Sequence, residues 1–339
     1  MKKNDRTYTQ FSLVTEMLET PGTIRSLPVD RIAELDFKND SVLFTGEGSS
    51  RIFPAKHAIY LALRRGGGPR LFTAGATEAG ELELTNTAVY VASNSGKTAE
   101  AVRLIHSLKA KGHGNIAAVV SNVDSPIMAH ADRGYGLICG GEKAVAATKS
   151  VVEQALVYEV LVRRATGAPL PDFAALANGL EETLSATVPT EMAEAIAGAP
   201  VVHFAGRDTG VAEELTLKTN EITKKRSAYL EGTYAVHGVE ESMEPSDVVV
   251  VVDPFEEEEA KFEEVLARGV GLTVIAISDR QTRFPTIRLP DLSGELDADS
   301  LDYLYLAAGW NLLVEAGIGL GLDVDKAERA RKVGNEYTG

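Results

Sequence analysis

Residues 87–108 read TAVYVASNSGKTAEAVRLIHSL. An apolar run from Thr87 stops at Ser93, small and polar residues follow, and from Thr98 onward apolar side chains recur at Ala101, Leu104, Ile105 and Leu108. The run suits a strand buried on both faces. The i, i+3, i+4, i+7 spacing is that of an amphipathic helix. A strand that turns through small residues straight into a helix is the unit from which parallel sheets with helices on both faces are built.

Working outward, similar apolar runs start at Ser41 (SVLFTG), Asn115 (NIAAVVS) and Gly134 (GYGLIC), separated by helical stretches that end in Gly-rich turns. The order returns in the second half: PVVHFAG from Pro200, DVVVVVDP from Asp247, GLTVIAIS from Gly271 and PTIRLP from Pro285. Each half closes with a long apolar helix, Ala147 to Arg164 and Leu301 to Gly317. Two copies of one five-element α/β unit explain this most simply. One continuous doubly wound sheet is the alternative, and the Pro-punctuated stretch between the halves weighs against it. The expected division is an N-terminal helical segment (1–40) with breaks at Pro21-Gly22 and Pro28, a first domain (41–170), a helical linker (171–199), a second domain (200–325) and a C-terminal tail (326–339).

A length of 339 residues, 44% apolar and 24% charged, accommodates two domains of about 150 residues each. The formal net charge of -15 excludes nucleic acid as the expected partner, because a negative field repels phosphate backbones. The lone Cys139 permits neither an intrachain disulfide nor a cysteine metal cluster, which fits a reducing compartment. No apolar leader is expected after Met1, and apolar runs such as Val248 to Val252 are too short to cross a bilayer. A cytoplasmic protein away from membranes, with neither metal nor cofactor, is the expectation.

An anionic ligand must then be held by a local device. In the opening stretch Ser93, Asn94, Ser95 and Thr98 crowd donors around Gly96, at the start of a helix whose free N–H groups and dipole favour an oxyanion without lysines. The plain alternative is that Ser95 or Thr98 merely caps the helix. A second turn, GEGSSR from Gly46 to Arg51, offers Gly46 and Gly48 for close backbone approach and Ser49 and Ser50 for ligand hydroxyls. Ligands of open α/β sheets gather at the carboxyl ends of strands, where both turns belong. A third turn, GEKAVAATKS, leads into the long helix of the first half; Val145 to Thr148 are expected to line a pocket through backbone atoms, and Lys149 is expected on the surface.

Together these segments resemble the SIS domains of the isomerase half of glucosamine-6-phosphate synthase and of standalone phosphosugar isomerases, deaminases and deglycases. Ser93-Asn94-Ser95-Gly96-Lys97-Thr98 matches the phosphate loop Ser-x-Ser-Gly-x-Thr. Gly46-Glu47-Gly48-Ser49 stands for Cys-Gly-Thr-Ser, and Val145-Ala146-Ala147-Thr148-Lys149 for Val-Ala-Ser-Thr-Lys. In the second half Leu217-Lys218-Thr219-Asn220-Glu221-Ile222 matches Leu-Lys-x-x-Glu-Ile; His237-Gly238 follows sixteen residues after Glu221, and Lys332 aligns with a tail lysine. The resemblance implies two flavodoxin-like five-stranded domains and an aldose-ketose isomerase, with Gly48, Ser49, Ser50, Ser93, Asn94, Ser95, Thr98, Val145 and Ala147 binding a small anionic sugar. It also implies a homodimer with shared active sites, in which the His237 loop completes the neighbouring subunit's site.

Chemistry gives the remaining groups their jobs: Glu221, kept basic by partial burial, moves a proton between C1 and C2, His237 opens the ring, and Lys332 stabilises enediolate charge. Three departures stand out. Val239, Glu240 and Glu241 follow His237-Gly238 where the family has Pro; Ala147 replaces a hydroxyl, which disfavours a 2-amino sugar; and Ala327-Glu328 replaces Pro-Arg before the tail lysine. No glutaminase nucleophile is expected. A C6 phosphate and a C6 sulfonate, as in sulfoquinovose, present the same tetrahedral oxygens to hydroxyl and N–H donors, so both stay open. Deamination or deglycation of an amino-sugar phosphate or glycated amino-acid phosphate is the competing enzyme reading, and a non-catalytic sugar-phosphate sensor the competing binding one.

Overall fold

The computed structural model describes residues 1, 4–292, 294–329 and 336–337. Among the described residues ten strands form two five-stranded sheets: β1 (Ser41–Gly46), β2 (Arg70–Gly75), β3 (Thr87–Ser93), β4 (Ile116–Val120) and β5 (Arg133–Gly136) in one, and β6 (Val201–Gly206), β7 (Arg226–Glu231), β8 (Val248–Val252), β9 (Thr273–Ser278) and β10 (Thr286–Arg288) in the other. Their orders are β2-β1-β3-β4-β5 and β10-β9-β8-β6-β7, one topology used twice. All pairs are parallel, with Thr45 opposite Val91 and Ala205 opposite Val251. The repeat read from the sequence is therefore a structural repeat, and the continuous-sheet alternative is excluded.

Two compact units contain these sheets. The first-sheet unit comprises Gly22–Lys143, Ala147–Pro171 and Glu328–Gly339; the second-sheet unit comprises Met1–Pro21, Ala144–Ala146 and Asp172–Ala327. In the first, Val89, Val91, Ala118 and Val120 pack on Ala101, Leu104, Ile105 and Leu108, the helical stripe of the opening stretch. In the second, Val249, Val251, Val274 and Ala276 pack on Phe262 and Leu266.

The edge strands β2 and β7 carry no continuous apolar run. Their residues are half-exposed along most of their length, whereas β3, β4 and β8 are buried throughout. An edge strand covered on fewer sides needs fewer apolar residues, so its sequence lacks the signal of a central strand. The N-terminal expectation needs correction: helix Ser12–Arg25 runs through Pro21-Gly22 without a break. Leu13, Val14, Met17, Thr20 and Ile24 fall on one fully buried face, and their burial outweighs the local proline penalty. Pro28 does mark a boundary, as the N-cap of helix Val29–Ala33. The closing helices run Lys149–Thr166 and Leu301–Gly319. Among the described residues no helix is long and apolar enough to cross a membrane, and no group of three or more His, Cys, Asp or Glu is placed to hold a metal ion.

Candidate active site

In the first-sheet unit the chain leaves the sheet in opposite directions after β1 and β3, which lie side by side, so a crevice opens at their carboxyl ends. Gly46 makes this approach possible: a Cβ there would sit 2.7 Å from the carbonyl oxygen of Ala92. The chain then turns through the 3-10 segment Gly48–Ser50, with Gly48 at φ +54°, Ser49 buried and Ser50 half-buried.

Across the crevice, the loop after β3 folds on itself. Ser93 Oγ accepts the Gly96 N–H at 3.0 Å and lies 2.9 Å from Thr98 Oγ1; Ser95 Oγ accepts the Lys97 N–H at 3.2 Å. Gly96 needs its left-handed φ of +67°, and a Cβ there would meet Ser125 Oγ at 2.1 Å. Thr98 is the N-cap of helix Ala99–Ala110, yet its side chain makes no capping hydrogen bond. Capping thus does not account for Thr98, and the N–H groups that open any helix have no intrahelical partner. This turn has the chemistry of an anion-binding helix start.

The corresponding position in the second-sheet unit is built differently. There Arg207 Nη1 meets Asp253 Oδ2 at 2.5 Å, with its guanidinium 4.0 Å over the Phe255 ring. Asp253 adopts φ +46°, and burial raises its carboxyl above the usual range despite Arg207. The turn after β3 offers hydroxyls, whereas the turns after β6 and β8 are joined by an ion pair.

The third turn is tied to the loop after β3 by a residue the sequence left unassigned. Glu142 accepts from Asn94 Nδ2 at 2.8 Å, from the Thr148 N–H at 2.6 Å and from Thr148 Oγ1 at 3.1 Å, and also from Ser150 Oγ. In the sequence it reads as one more loop acid before Lys143. Ala147 is half-buried beside Thr148. Lys149, expected on the surface, is buried as the first residue of its helix. Val145 belongs to the second-sheet unit, where its N–H donates to the Asp325 carbonyl at 3.1 Å, so that backbone donor is committed within the chain. The other unforeseen contact is at the C-terminus: Glu336 bridges Thr98, and the Tyr337 N–H donates to the Lys97 carbonyl at 2.9 Å. No sequence motif announces either residue.

Glu221 and His237 lie in the second-sheet unit. Glu221, in the last turn of helix Val211–Ile222, is half-buried; its Oε2 accepts from Lys218 Nζ at 2.6 Å. Its partner is thus a fully buried ammonium on the same helix. Burial alone pulls the Lys218 ammonium down, but Glu221 and Glu214 outweigh it and hold the ammonium above its ordinary range. His237 is exposed, and its Nε2 lies 3.3 Å from Lys261 Nζ, which places the ring hydrogen on Nδ1 when the lysine is charged. The preceding Ala235 and Val236 are buried in the second core, and the following Gly238, at φ +102°, donates its N–H to Glu240 at 2.6 Å. Glu240, one residue beyond the Val239 that stands where the family has proline, thus folds back onto the loop. Lys332 lies outside the described residues.

Residues 37–164 match the SIS domain family model. In sequence it is similar to the isomerizing glutamine-fructose-6-phosphate aminotransferase of Aeropyrum pernix, 26% identical over 269 residues. That alignment spans 73% of this chain and 43% of the relative, less than half its length. In structure it is similar to tagatose-6-phosphate ketose/aldose isomerase from Escherichia coli (TM-score 0.81, 17% identity, 96% of this chain and 98% of that one). It is also similar to glucosamine-6-phosphate deaminase from Thermotoga maritima (TM-score 0.77, 18% identity, 96% and 98%). These two likenesses establish a shared fold.

Proposed function

We propose that this protein is an aldose-ketose isomerase acting on a sugar that carries phosphate or sulfonate at C6, through a cis-enediol intermediate. The observation that supports the proposal is the turn Ser93–Thr98, which follows a carboxyl strand end, gathers its hydroxyls at a helix start and leaves Thr98 without a capping bond. The sequence likeness to an isomerizing aminotransferase and the fold shared with a ketose/aldose isomerase support the same reading.

In the proposed reaction Glu221 takes the proton from C2 of the open-chain aldose and returns it to C1, while a proton passes from O2 to O1, so that the double bond moves without net oxidation. Lys218 holds the Glu221 carboxylate in orientation. His237 moves the proton that opens the ring, and Lys332 offsets enediolate charge. The sites are proposed to be shared in a homodimer. A deaminase reading has the fold neighbour in its favour, but Ala147 offers no hydroxyl to an amino group at C2.

The test is incubation with C6-phosphorylated and C6-sulfonated aldoses and ketoses in deuterated water. Deuterium entering C1 or C2, with interconversion of the two sugars, is the expected result. Release of ammonia or an amino acid from an amino-sugar or glycated substrate without isomerisation sinks the proposal in favour of the deaminase or deglycase.

A further inference from the structure

Between β5 and helix Lys149–Thr166 the chain runs through residues 137–148 without regular secondary structure. With no sheet ladder or helix to hold it, such a segment takes its position from side-chain hydrogen bonds and packing. Two carboxylates grip its ends. Glu153, fully buried, accepts from Tyr135 Oη at 3.0 Å and from the N–H groups of Ile138 and Cys139, each at 2.8 Å. Glu142, 7% exposed, grips the other end and alone of the two also reaches the loop after β3.

The geometry points to Glu142 as a positioning residue of the anion site: one buried carboxylate fixes Asn94 in the loop after β3 and Thr148 in the third turn in a single arrangement. The inference rests on the reading of Ser93–Thr98 as an anion-binding turn. A carboxylate has about four acceptor positions, two on each oxygen. Here Oε1 takes the N–H and the hydroxyl of Thr148, and Oε2 takes the amide of Asn94 and the hydroxyl of Ser150. All four positions are used, each by a group that can donate. Charge-assisted bonds of this kind are shorter and stronger than neutral ones.

The consequence reaches the ligand through orientation. One hydrogen of the Asn94 amide is spent on Glu142, which fixes the plane of the side chain between Ser93 and Ser95. The substitution Glu142→Gln keeps the size of the side chain but presents a donor where one oxygen was. It leaves two of the donors among Asn94, Thr148 and Ser150 facing an NH2 group, so the loop and the turn lose their common register without losing any volume.

The experiment measures binding of inorganic phosphate and of sulfate to the intact protein by calorimetry, with thermal melting in parallel. Glu142→Gln is expected to weaken anion binding about tenfold, in line with one or two charge-assisted hydrogen bonds, while Glu153→Gln lowers the melting temperature and leaves anion affinity within about twofold. Asn94→Asp sets a second carboxylate against Glu142 and is expected to weaken binding similarly. Combining Asn94→Asp with Glu142→Gln exchanges amide and carboxylate between the two positions, so a donor again faces an acceptor and part of the lost affinity returns. Where the isomerisation panel has supplied a substrate, KM rises in Glu142→Gln with kcat within about threefold, because Glu142 touches no reacting atom.

Should Glu142→Gln fail to fold, Asn94→Asp and Ser150→Ala carry the test, the latter deleting one bond to Oε2 with an expected severalfold loss. Anion binding unchanged in these variants, or additive losses in the double variant, overturns the role of Glu142 alone. Failure of the wild-type protein to bind either anion overturns the anion-site reading itself.

Discussion

Lys218 Nζ stands 2.6 Å from Glu221 Oε2 and 3.2 Å from Glu214 Oε1, a fully buried ammonium shared between two carboxylates on one helix. The pair separates the chemistry of Glu221 from its structural role. In Glu221→Gln the ammonium keeps Glu214, so the fold is expected to persist while turnover falls about 10²-fold or more with little change in KM. In Lys218→Met the buried Glu214 loses its ammonium, and destabilisation of about 3–5 kcal/mol is expected from urea unfolding. Near-normal turnover in Glu221→Gln reduces that residue to a helix glutamate beside a lysine.

Because Thr98 makes no capping bond, Thr98→Ala is expected to cost no more than about 1 kcal/mol of stability, the value of its contact with Ser93, while raising KM about tenfold. Ser95→Ala is expected to behave alike. Gly96→Ala is the severe member of the series, since its Cβ collides with Ser125 and the left-handed backbone is lost, so anion affinity is expected to fall furthest there. A drop in stability without any change in KM for Thr98→Ala contradicts the anion turn and restores capping.

His203 on β6 is buried, and that burial pulls its imidazole below the usual range although Asp247 Oδ2 lies 3.8 Å away and pushes the other way. Above a pH of about 6.5 the ring is neutral in both folded and unfolded chains. As pH falls through the lowered folded value, the unfolded chain binds the proton first, so stability is lost on the acid side. Between pH of about 7.5 and 5.5 the urea midpoint of wild type is therefore expected to drop more than that of His203→Phe. Parallel drops dismiss His203 as an acid-sensitive group.

The central strands β1, β3, β4, β6, β8 and β9 were legible because burial on both faces demands unbroken apolar runs such as Val248–Val252. β2 and β7 were not, because an edge strand such as Arg70–Gly75 needs no such run. The turn Ser93–Thr98 was legible because its small hydroxylic residues sit between two periodic segments. Glu142 was invisible for the opposite reason: its role depends on Asn94, 48 positions earlier in the chain, and on Thr148 and Ser150 after it. Helix Ser12–Arg25 shows the limit of local punctuation, since Pro21 breaks a pattern only where no buried face spans it. Lys218 and Glu221 were seen as neighbours on a helix, but only the fold shows the lysine to be the buried partner.

The proposed sharing of sites between chains makes a prediction that a single-chain site does not. Ala235 and Val236 anchor the start of the His237 loop in the second core, while His237 itself is exposed at its tip and followed by the left-handed Gly238. An exposed histidine on an anchored loop is available to another copy of the chain, and two-fold symmetry returns whatever one copy lends. Glu221→Gln and His237→Ala are each expected to be inactive, and the two are mixed, unfolded and refolded together. In a mixed dimer with shared sites, one site combines the intact Glu221 of one chain with the intact His237 of the other. Random pairing makes half the dimers mixed, so about a quarter of wild-type sites return. If each chain supplies both residues to its own site, every site keeps a lesion, the refolded mixture stays inactive, and the shared-site proposal falls while the isomerase proposal stands.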